Sequence, residues 1–181
     1  ECFDGDWCAR NRMNSSHGRL EEKHGGKVSY HGFVHTFSEL VPPGTYYKDH
    51  PEYFPLVGGQ RLDGYTQLCC TNEDVFRIVI EETRKRMREH PEATVFSVSQ
   101  NDTGNYCQCP NCQALAEAEG SQVAPVLHLV NRVAEAVEKE FPDKAIDTLA
   151  YQWSRKPPKA MRPRPNVIVR LCSIECCFAH P

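Results

Sequence analysis

The stretch VFSVSQNDTGNYCQCPNC, residues 95–112, determines the predicted fold class because it passes from a strand directly into a polar loop. Its opening residues are mostly β-branched or aromatic, a composition that is typical of strands. Gln100, Asn101 and Asp102 follow at once, and three cysteines with the spacing Cys-x-Cys-x-x-Cys end the stretch. The sequence therefore places chemically active side chains immediately after a strand.

Strands and helices alternate along the rest of the chain. Alternating or continuous apolar runs predict further strands, and apolar residues at three-to-four spacing predict helices between them. The last strand is nearly all apolar, which predicts burial on both of its faces. The predicted strands are 27–37, 66–70, 93–99, 145–152 and 166–172, and the predicted helices are 73–90, a short one ending at Gly120, and 123–140. This alternation predicts a parallel α/β fold.

Polar residues gather at or just beyond the predicted strand ends, at His35, Gln100–Asp102, Tyr151–Gln152 and Glu175. In (β/α) barrels the active site is built at that face. Four or five strands are too few for a complete barrel of about 250 residues. We therefore predict a partial (β/α) TIM-type barrel, with residues 1–181 forming one domain of a larger barrel protein.

Composition and charge limit the partners. The chain is 40% hydrophobic and 25% charged, with a formal net charge of −3, so no general attraction to nucleic acid or anionic lipid is expected. No apolar run approaches the roughly 18–20 residues of a membrane span. Since the chain lacks an initial Met and stops straight after a strand, we expect the remainder of a parent chain, or another subunit, to cover the open sheet edges.

Two carboxylates are the candidate catalytic residues, Asp102 after the strand at 93–99 and Glu175 after the strand at 166–172. Glycosidic cleavage commonly uses two carboxyl groups, one as acid and the other as base or nucleophile. The alternative for Asp102 is turn formation, because Asn, Asp and Gly all favour turns. The alternative for Glu175 is an ordinary surface loop.

Further polar residues near the strand ends are candidate substrate-binding residues, although packed side chains with satisfied hydrogen bonds are the alternative for each. Trp153 is predicted either to stack on a sugar or to pack in the core. Arg170 lies within an apolar strand and needs a partner, for which Asp102 or Glu175 would serve. The candidates are His35, Gln100, Asn101, Tyr151, Gln152 and Arg170.

Ten cysteines are many for a chain of this size, and they occur in clusters. Cys107, Cys109 and Cys112 have the tight spacing of thiolate zinc ligands and predict a structural zinc site. A fourth ligand is expected from another cluster, namely Cys69, Cys70, Cys176 or Cys177. Disulfides between clusters and buried cysteines without a bond remain alternatives.

Several segments resemble a bacterial domain family of unknown function that is usually described as glycoside-hydrolase-like. They are HTF (35–37), PEYF (51–54), FSVSQND (96–102), YCQCPNC (106–112), NRVAEAVEKEFPDK (131–144), DTLAYQ (147–152) and NVIVRLCSIECCFAHP (166–181). The family is found in large secreted carbohydrate-active proteins and is distantly similar to the barrels of alpha-glucuronidases and hexosaminidase-type enzymes.

The resemblance implies a secreted or periplasmic protein, a compartment in which cysteines often form disulfides. It also implies a carbohydrate substrate. Together with the carboxylate pair, it predicts glycoside hydrolysis that requires no cofactor. The alternative is a non-catalytic carbohydrate-binding or structural module of a larger secreted protein, because fold does not dictate function.

Overall fold

The computed structural model describes residues 4–14, 18–174, 177 and 179. Its helices are α1 Gly5–Arg10, α2 Phe37–Leu40, α3 Pro43–Tyr46, α4 Glu73–Glu89, α5 Pro110–Glu119 and α6 Val123–Val137. Its strands are β1 Tyr30–His31, β2 Leu56–Val57, β3 Gln60–Arg61, β4 Val95–Ser97, β5 Ala145–Ala150 and β6 Val167–Leu171. No described helix combines the length and the apolar character that crossing a membrane would require.

Local chemistry sets both ends of α4 and the end of α5. The Asn72 side chain accepts hydrogen bonds from the backbone N–H groups of Asp74 and Val75, which caps α4. Pro91 follows the end of α4, where a residue without a backbone N–H cannot continue the ladder. α5 ends at Gly120, whose positive φ of 63° suits a residue without a side chain.

The main sheet is parallel and has the strand order β1–β4–β5–β6, which follows the order along the chain. β2 and β3 form a separate antiparallel pair. A mixed α/β fold with a four-stranded parallel sheet is therefore confirmed. The described strands do not close into a barrel, and no α-helix lies in the connection from β5 to β6.

The two faces of the sheet have different chemistry. Phe96 pairs with Ile146, and both side chains join the hydrophobic core with residues of α4 and α6. Partners in a parallel pair share a face and successive residues alternate. Ser97 and its partner Asp147 therefore point to the opposite face, away from the helices. The parallel register places a buried polar pair on the face that the helices do not cover.

Two predicted strands differ from the structure. Within 27–37 only Tyr30–His31 is a strand, because Gly32 and His35 adopt positive φ and interrupt the extended chain. Residues 66–70 form no strand, since their backbone binds other segments: the Asn101 side chain donates to the Thr66 carbonyl. The strand at 93–99, the strands near 145–152 and 166–172, and the helices are confirmed with small shifts of their ends.

The prediction that the last strand is buried on both faces is wrong. In β6 the side chains of Ile168, Val169 and Leu171 are 41%, 42% and 63% exposed. Within the described residues, β5 is the strand that pairs with β6, so β6 forms an edge of the sheet. Apolar composition indicated burial, but burial depends on a neighbouring element that lies outside the strand itself.

Candidate metal centre and strand-end site

Four cysteines form a compact buried cluster that can hold a metal ion. The Sγ atoms of Cys69, Cys107, Cys109 and Cys112 all lie within 4.8 Å of one another. The Sγ atoms of Cys69 and Cys109 are 3.6 Å apart. Four sulfurs placed tetrahedrally at the usual Zn–S distance of about 2.3 Å are separated by about 3.8 Å. The spacing of the cluster fits a tetrahedral thiolate site.

Local structure positions the four sulfurs. Cys107 and Cys109 lie in the loop after β4, and Cys109 is the N-cap residue of α5. Cys112 lies in the first turn of that helix, whose positive N-terminal end stabilises a thiolate. Cys69 comes from the segment before α4, forty residues from Cys109 along the chain. Two separate segments thus contribute to one centre.

Hydrogen-bond donors surround the sulfurs. The Leu56 backbone N–H donates to Cys107 Sγ at 3.3 Å, and an Arg61 guanidinium nitrogen lies 3.9 Å from the same atom. The Thr71 hydroxyl is 3.2 Å from Cys112 Sγ. Donors of this kind around ligand atoms stabilise their deprotonated form and orient them.

The thiols strongly influence one another. Hydrogen bonds from Cys107 and Cys112 lower the pKa of the Cys69 thiol far below its usual value. The hydrogen bonds with Cys107 and Cys69 raise the pKa of Cys112. Close sulfurs that share protons in this way become metal ligands by losing them, since only thiolates bind.

The structure identifies the fourth member of the cluster as Cys69. Its neighbour Cys70 is directed elsewhere, with its thiol donating to the Leu68 carbonyl at 3.6 Å, and burial raises the pKa of Cys70. Cys177 is exposed and outside the cluster, and Cys176 lies outside the described residues. Because four protein ligands would leave no open position, a metal ion held by the cluster would be of the structural type.

We call the polar residues that follow β4 and β5 the strand-end site, and Asp102 is the exposed carboxylate among its described residues. The Asp102 backbone N–H donates to the Tyr65 hydroxyl at 3.3 Å. Burial, and then a hydrogen bond to the Asp102 carboxylate, raise the pKa of the Tyr151 hydroxyl. The Gln152 side chain donates to that hydroxyl at 2.9 Å. Asp102, Tyr151 and Gln152 therefore form one polar group at the surface.

The two amides before Asp102 are fully buried and bind protein atoms. The Asn101 side chain donates to the Thr66 carbonyl at 2.6 Å. The Gln100 side-chain oxygen accepts from the Ser154 hydroxyl, and its nitrogen lies 3.4 Å from the Tyr151 carbonyl. In this arrangement both amides fix the loop rather than face solvent.

His35 reaches the same site from another segment. Its ring Nδ1 is 2.8 Å from the Gln100 carbonyl oxygen, and its ring centroid is 6.0 Å from that of Tyr151. Trp153, in the 3₁₀ turn Gln152–Ser154, donates to the Thr103 carbonyl at 3.0 Å and packs against the core. Of the two roles predicted for Trp153, sugar stacking and core packing, the structure favours core packing.

Arg170 is paired with Asp147, a residue that sequence reasoning missed. The two side chains are 2.7 Å apart, and the Arg170 guanidinium lies 4.1 Å from the Phe33 ring centroid. Burial raises the pKa of Asp147 to about 6, although Arg170 and Ser97 oppose that shift. The partners that we expected for Arg170 were Asp102 or Glu175. A polar residue within the otherwise apolar strand AIDTLA was the available signal.

Glu175 lies outside the described residues, so its distance from Asp102 stays a prediction. The structure thus brings His35, Gln100, Tyr151 and Gln152 together around Asp102, whereas Arg170 belongs to the Asp147 pair on the sheet.

One buried side chain links the two sites. Gln67 donates to the backbone carbonyls of Asn101 and Thr103, at 2.7 Å and 2.8 Å, and accepts from the Asn101 backbone N–H at 3.1 Å. Gln67 is two residues before Cys69. The segment that carries the fourth cysteine therefore also holds the backbone on both sides of Asp102.

The fold and the cysteine centre define an α/β domain with a candidate structural metal site. Residues 3–181 match the domain of unknown function DUF4838, and the chain belongs to that family. No curated protein and no solved structure is significantly similar to the chain.

Proposed function

We propose that this domain is a carbohydrate-active module of glycoside-hydrolase type, with its sugar site around Asp102 and a structural zinc ion in the cysteine centre. One observation carries the proposal: an exposed carboxylate, grouped with Tyr151 and Gln152, stands on a loop that is bonded by Gln67, two residues before the cluster cysteine Cys69. Hydroxyl, amide and carboxylate groups of this kind bind sugar hydroxyls by accepting and donating hydrogen bonds.

The metal in this proposal is zinc because four thiolates in a closed tetrahedral set suit zinc better than oxygen-preferring ions such as Mg²⁺. Elemental analysis of protein purified under reducing conditions should find about one zinc per chain. X-ray absorption should give four sulfur neighbours at about 2.3 Å. A protein free of metal, or one with iron instead, would refute this part of the proposal.

In the catalytic branch, Asp102 acts with Glu175 in a partial barrel whose strand ends carry the site. Carboxyl groups about 5–5.5 Å apart would retain the anomeric configuration, and a separation of about 6.5–9.5 Å would invert it. A panel of aryl glycosides and oligosaccharides tests for turnover. Asp102→Asn should abolish that turnover, whereas Asp63→Asn, an exposed carboxylate in another loop, should preserve it.

The non-catalytic branch is favoured by the burial of Gln100 and Asn101, since these amides bind the protein and leave few groups for substrate. Glycan-array binding that Asp102→Ala weakens, without turnover by either this chain or a longer parent protein, would select this branch. If the protein neither binds nor cleaves any glycan tested, both branches are refuted.

The proposal includes a neighbour for β6, whose exposed edge and apolar side chains suit pairing with another strand. The remainder of a parent chain, or another subunit, would cover it in a secreted or periplasmic protein. Amide exchange at residues 167–171 should slow when a longer chain is compared with this one. Unchanged exchange would argue that the edge stays exposed.

A further inference from the structure

The cysteine centre has an outer side that reaches solvent. Cys69 and Cys109 line a cavity of about 270 Å³ together with Arg61, Pro110 and Asn111. Pro110 and Asn111 are exposed and stand at its mouth. Small polar molecules can therefore approach these two sulfurs from solvent.

The other two cysteines adjoin a much smaller cavity. Cys107 and Cys112 line an internal cavity of only about 10 Å³, beside Phe37, Leu68 and Trp153. A space of that size holds at most about one water molecule. The larger cavity therefore leaves a reagent more room beside Cys69 and Cys109, which we call the outer pair, than the small cavity leaves beside Cys107 and Cys112.

The outer sulfurs are also close enough to bond. Their separation of 3.6 Å exceeds a disulfide bond length of about 2.05 Å by roughly 1.5 Å. Cys69 stands before α4 and Cys109 stands before α5, so each sulfur is carried by an irregular segment rather than by the middle of a helix. A small shift of either segment would bring the two sulfurs into contact.

We propose that Cys69 and Cys109 are a redox modification site at which hydrogen peroxide forms a disulfide and thereby releases the metal ion. This inference rests on the proposed zinc centre. It makes the centre an oxidant-sensitive one, in which only the outer pair reacts.

The chemistry balances with peroxide as the oxidant. One outer thiolate attacks a peroxide oxygen, the O–O bond breaks, and a sulfenic acid and, after protonation, one water form. The second thiolate attacks that sulfur and displaces hydroxide, which takes a proton to give the second water. Two thiolates lose two electrons, and peroxide gains them. Only Cys107 and Cys112 then remain as ligands, too few to retain zinc.

The disulfide would also alter the strand-end site. Gln67, two residues before Cys69, holds the backbone around Asp102. Movement of Cys69 toward Cys109 therefore disturbs the hydrogen bonds that fix the Asp102 loop. Oxidation is expected to weaken binding at that loop, and reduction in the presence of zinc should restore it.

The test treats reduced, zinc-loaded protein with hydrogen peroxide, follows zinc with a chromophoric chelator and maps disulfides by mass spectrometry. The expected result is one zinc released per chain with a Cys69–Cys109 disulfide. Release with a Cys107–Cys112 disulfide, or release with no disulfide, would overturn the proposal, as would no release at excess peroxide. Absence of zinc before treatment would instead refute the zinc centre, and the mapping would still test the pair.

Two matched variants test whether peroxide reaches the outer pair through the larger cavity. Asn111→Trp places a bulky side chain at the mouth of the outer cavity and should slow zinc release several-fold without changing zinc content. Gln113→Trp, an exposed position on the same helix outside that cavity, should release zinc at the wild-type rate. Equal rates for both variants and wild type would contradict access through this cavity.

Discussion

The cysteine centre and the strand-end site share the segment after β4, yet they use burial in opposite ways. Cys107, Cys109 and Cys112 are buried, and their sulfurs lie close to one another and to that of Cys69. Asp102, a few residues earlier, keeps its carboxylate exposed. Thiols lose little by leaving water, whereas an unpaired carboxylate loses much. Burial suits a structural centre, and exposure leaves a charged group available to a ligand.

The comparison also indicates that the strand-end site depends on the segment that carries Cys69. The loop around Asp102 is fixed by hydrogen bonds from buried or half-buried side chains, among them Asn101 and Trp153. Its backbone is held by Gln67, and Gln67 adjoins the cysteine centre. If this interpretation is correct, damage to the centre should spread to the Asp102 loop, and changes at Asp102 should not spread back.

Loss of a metal ligand should have the largest effect. Cys109→Ser is expected to remove zinc binding and to lower the free energy of unfolding by at least about 3 kcal/mol, because the four sulfurs organise two segments. Urea unfolding and zinc analysis measure both effects, and hydrogen exchange should rise over residues 106–118. Cys70→Ala, which changes a buried cysteine outside the cluster, should keep its zinc. Full zinc occupancy in Cys109→Ser would contradict the assignment.

Removal of the Gln67 side-chain hydrogen bonds should have the second-largest effect on the free energy of unfolding. Gln67→Leu leaves the buried Asn101 N–H without its acceptor and removes one of the two donors to each of the Asn101 and Thr103 carbonyls, so we expect a loss of about 2 kcal/mol while zinc is retained. Exchange should increase around Asp102 more than around the cysteines. Gln113→Leu, at an exposed glutamine, is the control and should change stability little. An equal increase in hydrogen exchange around Asp102 and around the cysteines would contradict a role of Gln67 that is confined to the Asp102 loop.

The Asp147–Arg170 pair on the sheet offers a smaller, pH-dependent effect away from both sites. The folded-state pKa of Asp147 is about 6, above the unfolded value of 3.8, so the folded protein binds more protons between these values. This group therefore costs stability above pH 6, and that cost disappears as the pH falls toward 4. Relative to Asp147→Asn, wild type should gain about 1 kcal/mol from pH 7.5 to pH 5 in urea unfolding. Parallel pH profiles would show that Asp147 does not titrate in this range.

Asp102 should have the smallest effect on stability. Because its carboxylate is exposed, Asp102→Ala should change the free energy of unfolding by no more than about 0.5 kcal/mol and leave zinc content unchanged. Thermal unfolding and metal analysis check this expectation. A loss comparable to that of Gln67→Leu would mean that Asp102 supports the loop, and the contrast between the two regions would fail.

The sequence by itself determined the features that depend on neighbouring residues. The cap at Asn72, the helix-ending Pro91 and the strand at 93–99 all follow from local hydrogen bonding and local shape. The spacing of Cys107, Cys109 and Cys112 likewise predicted one side of a metal centre. Such features are predictable because a few adjacent residues carry the whole signal.

Tertiary structure decided which distant residues meet. Cys69 and Cys70 are adjacent and chemically identical, yet only Cys69 joins the cluster, because the path of the chain before α4 turns its sulfur toward α5. Asp147 became the partner of Arg170 through the register of β5 and β6, and the exposure of Ile168 followed from the position of β6 at the sheet edge. These outcomes depend on contacts between segments far apart along the chain, and no short run of residues encodes such contacts.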